Sequence, residues 1–365
     1  MKVLFITNIP SPYRVEFFNE MGKLCDLTVI FERSASAERD DSWKKYGEES
    51  FRPMILRGKS WGVAGAFCPE ICKHIKKGQY DHVIVSDFTS PTGMLAISHM
   101  RLHNIPYWLE SDGGFAKNGL GWKEKLKKYF IKGAAGYFST AKEHDRYYLQ
   151  YGAEEKRIFR YPFSSLRKAD LLTKPAGKQE KRALRVKLEM REEKILLAVG
   201  QFIHRKGFDV LLEAMTRMPE NVGCYFVGGQ PTAEYLQFIQ DAHLDRVHFV
   251  SFCNKEALAE YYRAADLFVL PTREDIWGLV INEAMANGLP VITTDRCIAG
   301  LELVENGKNG YVVPVGDPQV LADRIGCVLE EENALERMGA CSLQKIAGYT
   351  IEEMAARHME ILENN

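Results

Sequence analysis

The sequence predicts an α/β protein made of two doubly wound parallel-sheet domains. Three observations carry this expectation. Short, nearly continuous apolar runs recur along the chain, each followed by a stretch of helical periodicity. Runs that do not alternate with polar residues belong to strands buried on both faces, as in parallel sheets covered by helices. The 365 residues also exceed what one hydrophobic core organises, and a Lys/Arg-rich stretch interrupts the pattern before it restarts.

In chain order, "KVLFIT" reads as a first strand, followed by a loop punctuated by Pro10 and Pro12. "YRVEFFNEMGKL" then sets Val15, Phe18, Met21 and Leu24 on one helical face. "LTVIF" follows, then "DHVIVS" with "PTGMLAISHMRL", "IPYWLE" with "WKEKLKKYFIKG", and "GYFS" with "AKEHDRYYLQYG". This series is assigned to a first domain, residues 1–167. The charged stretch at 166 to 193 joins it to a second domain, residues 168–348, where the alternation resumes. There "ILLAVG" precedes "GFDVLLEAMTRM", "GCYFVGG" precedes "AEYLQFIQDA", and "VHFVSF" precedes "KEALAEYYRAA"; "DLFVLP", "PVITT" and "GYVVPV" complete the strands. The last helix, 349–365, is expected to pack back onto the first domain. Such sheets bind ligands beyond the carboxyl ends of their strands, so the loops after Thr7, Glu110, Gly200, Gly229, Phe252 and Thr272 are expected to face a shared cleft.

Composition excludes several classes. A hydrophobic fraction of 46% with 27% charged residues argues against disorder. The opening apolar run of four residues is too short for a signal-peptide core, and nowhere do the ~18 uninterrupted apolar residues of a membrane span occur. The eight cysteines form no C-x-x-C pair, so reduced cytosolic thiols and a cytoplasmic location are expected. Cys68 with Cys72, and His99 with His103, imitate a metal site, but helical i, i+4 packing accounts for both pairs and no metal is expected. Residues 1 to 165 carry 25 Lys/Arg against 19 Asp/Glu, and residues 194 to 365 carry 14 against 25. A basic first half and an acidic second half imply different partners, with no nucleic acid among them.

Three stretches of the second domain carry candidate chemistry. "VGQFIHRKGFDVLLEA" ends a strand at Gly200 and opens a helix near Gly207, with Arg205 and Lys206 between. Cations beside a helix N-terminus suit a diphosphate, because unpaired N–H groups and the helix dipole both favour negative charge. The same residues also read as a solvated loop with surface charges. "VGGQPT" places Gly228 and Gly229 after a strand, for close backbone approach or for a simple turn. "REDIWGLVINEAMANG" puts Asp275 on a strand-end loop and Glu283 about a turn into the next helix, which Gly288 ends. Ionised carboxylates accept several hydrogen bonds and suit vicinal hydroxyls, as on a sugar. A helix-start acid and a solvated Glu are the structural alternative. In the first domain, "WLESDGG" presents Glu110 and Asp112 after a strand, and Tyr13 and Arg14 open the first helix from the same side. These four are the candidate acceptor residues; an acid and glycine turn reads as well there.

The run "REDIWGLVINEAMANGLPVITTD", with "VGQFIHRKGFDVLLEA" upstream and "ENGKNGYVVPVGD" downstream, resembles the retaining nucleotide-sugar glycosyltransferases of family 4, glycosyl transferases group 1, which have the GT-B fold of two Rossmann-like domains. That family's hallmark is an acid, seven residues, then Glu, around a Gly-aromatic-Gly. "YGAEEKRIFRYPFSSL" and "NIPSPYRVEFFNE" are also similar to its first domain. The resemblance implies hexosyl transfer from a UDP- or GDP-sugar, with Arg205, Lys206, Asp275 and Glu283 as catalytic residues. Glu283 would bind the donor ribose, Asp275 the transferred sugar, and Arg205 and Lys206 the diphosphate. Gln201, Gly228, Gly229, Phe252, Glu274, Trp277, Gly278 and Leu279 would line the donor, with the base along the backbone near Ser251 and Phe252. Here Asp275 replaces the usual Glu and Gln201 stands where many members have Arg, so Glu274 and Arg205 are the residues expected to compensate. The family's Gly-Gly loop after the first strand is replaced by "NIPSPY".

Departure of a nucleoside diphosphate develops negative charge on the bridging oxygen, so preorganised cations and N–H dipoles are expected to dominate the barrier. No D-x-D-type metal site is evident, and these cations are expected to replace a divalent ion. The resemblance further implies a glycan or lipid-linked acceptor, retention of configuration, and a role in bacterial polysaccharide, lipopolysaccharide or glycolipid assembly. "GWKEKLKKYFIKG", residues 121–133, groups Trp122, Leu126, Tyr129 and Phe130 on one face and Lys123, Lys125, Lys127, Lys128 and Lys132 around the rest. Such a helix suits peripheral contact with an anionic membrane surface, or a core face with a solvated back. A nicotinamide oxidoreductase needs G-x-G-x-x-G in its first strand-to-helix turn, and "TNIPSPYR" has no glycine. A non-catalytic sugar-nucleotide-binding protein and an inverting GT-B transferase or epimerase stay open as alternatives.

Overall fold

A computed structural model describes residues 1–34, 49–61, 65–116 and 121–365. The chain divides into two compact units, Met1–Ser165 with Thr350–Asn365, and Leu166–Tyr349.

The first unit contains strands β1 (Lys2–Thr7), β2 (Asp26–Phe31), β3 (Arg52–Ile55), β4 (Lys59–Trp61), β5 (Gly65–Phe67), β6 (His82–Val85), β7 (Trp108–Glu110), β8 (Gly136–Ser139) and β9 (Ile158–Arg160). Its helices are α1 (Pro12–Gly22), α2 (Ile71–His74), α3 (Pro91–Leu102), α4 (Trp122–Ile131) and α5 (Lys142–Gln150). Seven strands form a parallel sheet in the order β3-β2-β1-β6-β7-β8-β9, and β4 and β5 pair as an antiparallel hairpin. The continuous run of β1 is continuous because Val3 to Ile6 are wholly buried. Ser11 and Pro12 start α1, a position where the missing proline N–H costs no helix bond. Helix α1 then lays Phe17 and Phe18 edge-on against Phe5 of β1, each buried aromatic contributing roughly 1.5–3 kcal/mol. Ser90 caps α3 by accepting from the Gly93 N–H at 2.9 Å.

The second unit contains β10 (Lys194–Val199), β11 (Val222–Val227), β12 (Val247–Val250), β13 (Leu267–Leu270), β14 (Val291–Thr294) and β15 (Gly310–Val313). Between and after them run α6 (Lys178–Lys187), α7 (Phe208–Met215), α8 (Ala233–Asp241), α9 (Lys255–Ala264), α10 (Leu279–Ala286), α11 (Ile298–Leu303), α12 (Pro318–Glu330) and α13 (Ala334–Ile346). All six strands are parallel, in the order β12-β11-β10-β13-β14-β15. The order reverses between β10 and β13, which makes the loops after those two strands the switch point of the sheet. The two units are the doubly wound, Rossmann-like parallel sheets that the apolar runs predict.

The last helix, α14 (Ile351–Glu363), belongs to the first unit, where it packs on α1. Its His358 is wholly buried between the rings of Phe17, Phe138 and Tyr161. The stretch read as a join at 166 to 193 lies entirely within the second unit, and α6 inside it packs against α9. Lys181 and Arg185 of α6 converge on Asp266 at 2.9 and 2.6 Å, and Asp266 also accepts from the Ile195 N–H that opens β10. Charges that resemble a solvated linker thus fasten a helix. The reading of Cys68 and Cys72 as one helical pair also needs correction: Cys68 precedes the short α2, and its thiol donates to the Glu32 carbonyl.

Candidate functional site

The switch point is built from two loops. After β10 the chain runs through Gly200 and the exposed Gln201 to a tight turn, His204–Lys206, and then to Gly207 at the head of α7. Gly207 has φ +67°, and a Cβ there would lie 2.1 Å from the Pro271 carbonyl oxygen, so both conformation and space require glycine. After β13, Pro271 to Ile276 lead to Trp277 and to Gly278, whose φ of +105° turns the chain into α10.

Backbone and side chains stitch these loops together. The Arg273 N–H and the Thr272 hydroxyl both donate to the Arg205 carbonyl, at 2.8 and 2.9 Å. Arg205 in turn donates through Nη1 to the Glu274 carbonyl at 2.9 Å. Asp275 is buried and receives two cations, Lys206 Nζ at 2.6 Å from Oδ2 and Arg205 Nη1 at 3.1 Å from Oδ1. Arg273 forks onto Asp209 in the first turn of α7, at 2.8 and 2.5 Å, and its Nη1 also donates to the His204 carbonyl at 2.8 Å. The Arg273 hydrogen bonds lower the Asp209 pKa. Asp209, Arg273 and Thr272 are residues that sequence reading passes over. Their partners lie 64 and 67 positions away along the chain, so no local pattern announces them.

The structure brings Arg205, Lys206 and Asp275 into direct contact. Glu274 is half-buried on the same loop, where Arg296 Nη2 reaches its carboxylate at 3.1 Å. The Trp277 side chain points inward: it is buried, and its indole N–H donates to Asn282 Oδ1 at 2.9 Å. Its carbonyl accepts from the Ala299 N–H and the Cys297 thiol, both at 3.0 Å. Trp277, expected among the donor-lining residues, thus braces the loop with its side chain and its carbonyl. Leu279 is half-buried and opens α10 beside Gly278.

Glu283 sits one turn into α10, half-buried, and accepts from the buried Tyr262 hydroxyl at 3.0 Å. Burial pushes its pKa up to about 6, against the opposing hydrogen bond from Tyr262 and the charge of Lys255. At the ends of β11 and β12, Gly228 continues the sheet by donating to the Val250 carbonyl at 3.1 Å, and Gly229 follows it. Gln230 Nε2 donates to the Ser251 hydroxyl at 2.8 Å, and Phe252 is 84% exposed, a flat aromatic surface beside these strand ends.

The four first-unit candidates form one network. Arg14 is buried and divides its guanidinium between Glu110 Oε1 at 2.5 Å and Asp112 Oδ1 at 2.6 Å. Tyr161 donates to Glu110 at 3.1 Å, Tyr13 donates to Asp112 at 3.1 Å, and His358 Nε2 lies 3.4 Å from Glu110 Oε2. Burial alone would raise the Glu110 pKa, but the charge of Arg14, with His358, brings it down to about 2. Glu110 and Arg14, expected among the acceptor residues, are both buried, and their mutual neutralisation lets both sit in the interior. Tyr13 and Asp112 are half-buried at the margin of this network.

On α4, Phe130 is buried and Leu126 packs on the core, while Trp122 is 70% and Tyr129 is 49% exposed. A cavity of about 220 Å³ lined by Phe88, Met94, Trp122, Leu126 and Phe130 lies beside Lys123 and Lys127. Among the described residues, no group of three or more His, Cys, Asp or Glu side chains could hold a metal, and no helix is long and apolar enough to cross a membrane.

Residues 180–343 match the family described as Glycosyl transferases group 1. The chain is similar to D-inositol 3-phosphate glycosyltransferase of Xylanimonas cellulosilytica, 31% identical over 235 residues, covering 61% of this chain and 55% of that protein. It is also similar to spore coat protein SA of Bacillus subtilis, 28% identical over 203 residues, covering 52% and 54%. The chain thus spans about half the length of the curated relatives it matches. Among solved structures, HepE of Anabaena in complex with UDP superposes with a TM-score of 0.82 at 16% identity over the whole of both chains. Sucrose-phosphate synthase from Thermosynechococcus elongatus gives 0.79 at 19% identity, covering 100% of this chain and 99% of that one. The fold is the GT-B type of these neighbours. The switch-point loops lie within the residues that match Glycosyl transferases group 1.

Proposed function

We propose that this protein is a retaining glycosyltransferase that moves a sugar from a nucleoside-diphosphate sugar to a hydroxyl of a glycan or lipid-linked acceptor, without a metal. The observation that carries the reading is the pair of cations, Arg205 and Lys206, held at the head of α7 across the switch point from the loop that leads into α10. Two positive side chains and the N–H groups of the α7 start suit the two phosphates, and they are fixed before the leaving oxygen gains its charge. Asp275 and Glu283, on the other loop and helix, supply the acceptor atoms for sugar and ribose hydroxyls. Phe252 offers a face to the base. HepE, sharing the fold, was solved with UDP-glucose, which supports a nucleotide-sugar donor here.

Incubating the protein with radiolabelled UDP- and GDP-sugars tests this directly. Release of labelled sugar, or its transfer to an extracted glycan or lipid fraction, is expected. Nucleotide binding without release over many hours would replace the enzyme with a non-catalytic sugar-nucleotide-binding protein, and an inverted product anomer by NMR would replace retention. The place of action we favour is the cytoplasmic face of a bacterial membrane, in polysaccharide, lipopolysaccharide or glycolipid assembly. The exposed Trp122 and Tyr129 beside Lys123 and Lys127 support it, because lysine-rich helices with interfacial aromatics bind anionic bilayers. Co-sedimentation with anionic liposomes at low salt is expected; its absence removes the membrane from the proposal.

A further inference from the structure

The two cations of the switch point lie on a turn of only three residues, His204–Lys206, with Gly207 after it in a left-handed conformation. A short turn ending in glycine does not hold long side chains in one place by itself. Besides the side chains' own contacts with Asp275 and the Glu274 carbonyl, three contacts fix the turn itself from the far side. The Arg273 guanidinium takes both carboxylate oxygens of Asp209, which starts α7, and with the same Nη1 takes the His204 carbonyl, which starts the turn. One planar group therefore spans the turn from its first residue to the helix behind it, while the Arg273 backbone N–H holds the Arg205 carbonyl in the middle. A guanidinium satisfies this geometry because its donors form a rigid fork; an ammonium cannot bridge all three oxygens in one plane.

We infer that the Asp209–Arg273 pair is a positioning device that fixes the Arg205–Lys206 turn for binding a diphosphate, an inference that rests on the nucleotide-sugar reading of this site. Neither residue needs to touch the ligand. Their effect passes through Lys206 and Arg205, so it belongs to the phosphates and not to the base or ribose, which the exposed Phe252 and Glu283 would meet.

The test uses the full chain and calorimetric titration with whichever of UDP or GDP the wild type binds more tightly, together with its nucleoside. Arg273→Met and Asp209→Asn are each expected to weaken nucleoside-diphosphate binding about 10-fold, the scale of a modest misplacement of a binding group, and to leave nucleoside affinity within about twofold. Arg273→Lys is expected to recover only part of the loss. In a Lys206→Ala background, Arg273→Met is expected to cost clearly less than its roughly 10-fold, because one of the two cations it positions is gone. Full additivity with Lys206→Ala, or equal losses for nucleotide and nucleoside, would overturn the positioning role while leaving the site reading intact. A wild type that binds neither nucleotide would overturn both.

Discussion

Replacing Lys206 by alanine perturbs two things at once, and the structure separates them. The Lys206 ammonium lies 2.6 Å from Asp275 Oδ2, with side chains only 12% and 10% exposed. In the proposed reaction, removing it takes away a fixed charge from the position where the leaving diphosphate would develop its own, a loss expected to lower kcat/KM by ~100-fold or more, about 2.7–4 kcal/mol. It also strips Asp275 of its nearer counter-ion. Breaking a fully buried pair costs about 3–5 kcal/mol, but Arg205 remains 3.1 Å from the other oxygen, so we expect roughly 1–3 kcal/mol. At about 2–4 °C per kcal/mol for a unit of this size, Tm falls by several degrees. Adding Asp275→Asn to the same chain removes the stranded charge and is expected to restore most of the Tm but none of the turnover. Steady-state kinetics with the donor and a thermal melt of all three proteins make the comparison. Wild-type kcat/KM in Lys206→Ala would refute the role of this cation, and recovery of activity along with Tm in the double variant would show that the first defect was only one of stability.

Glu283→Gln is expected to weaken donor-nucleotide binding chiefly, read by calorimetry, and unchanged affinity would remove Glu283 from the ribose. Because burial raises the Glu283 pKa from 4.5 to about 6, the ionised acceptor is lost as pH falls below about 6; wild-type affinity should drop there and that of Glu283→Gln should stay flat. The linkage sign is the opposite for stability: between those two values the folded state keeps a proton that the unfolded chain has released, so this residue makes stability fall as pH rises through the window. Arg14→Met leaves Glu110 and Asp112 without their shared cation and is expected to cost about 3–5 kcal/mol in urea unfolding at neutral pH. Glu110, lowered to about 2, contributes stability that is present above 4.5 and lost as pH falls toward 2; the difference between wild type and Arg14→Met should therefore shrink in acid, and a constant difference would exclude the ion pair as its source.

The parallel sheets were readable because their strands are buried on both faces. "KILLAV" and "VGCYFV" leave β10 and β11 almost no exposed position, so the apolar run is unbroken and its ends are sharp. The edge strand β3 has no such signature: in "RPMI" every residue keeps some exposure, and the pattern is that of a loop. The same logic governs the site. Gly207 and Gly278 are visible because the backbone turns there need glycine, and a glycine between a strand and a helix is a local fact. The inward turn of Trp277 is not local in that sense. It is held by Asn282, buried in the next helix, which receives the indole N–H.

Charged residues were the least readable, because sequence gives their sign but not their partners. Lys181 and Arg185 close on Asp266, Arg14 closes on Glu110 and Asp112, and Arg273 closes on Asp209, each across dozens of positions. In the first and last of these groups the carboxylates and cations serve to tie elements together, and in the Arg14 network two acids share one cation. At Asp275, as at Asp266, two cations meet one carboxylate. A group of that composition carries a surplus positive charge beside a helix start, and burial of Asp275 prevents water from screening it fully. What sets the Asp275 group apart from the Asp266 one is its place: its cations stand on the loop after β10, held by backbone and guanidinium contacts from the loop after β13, where their surplus charge suits the anion of the proposed donor.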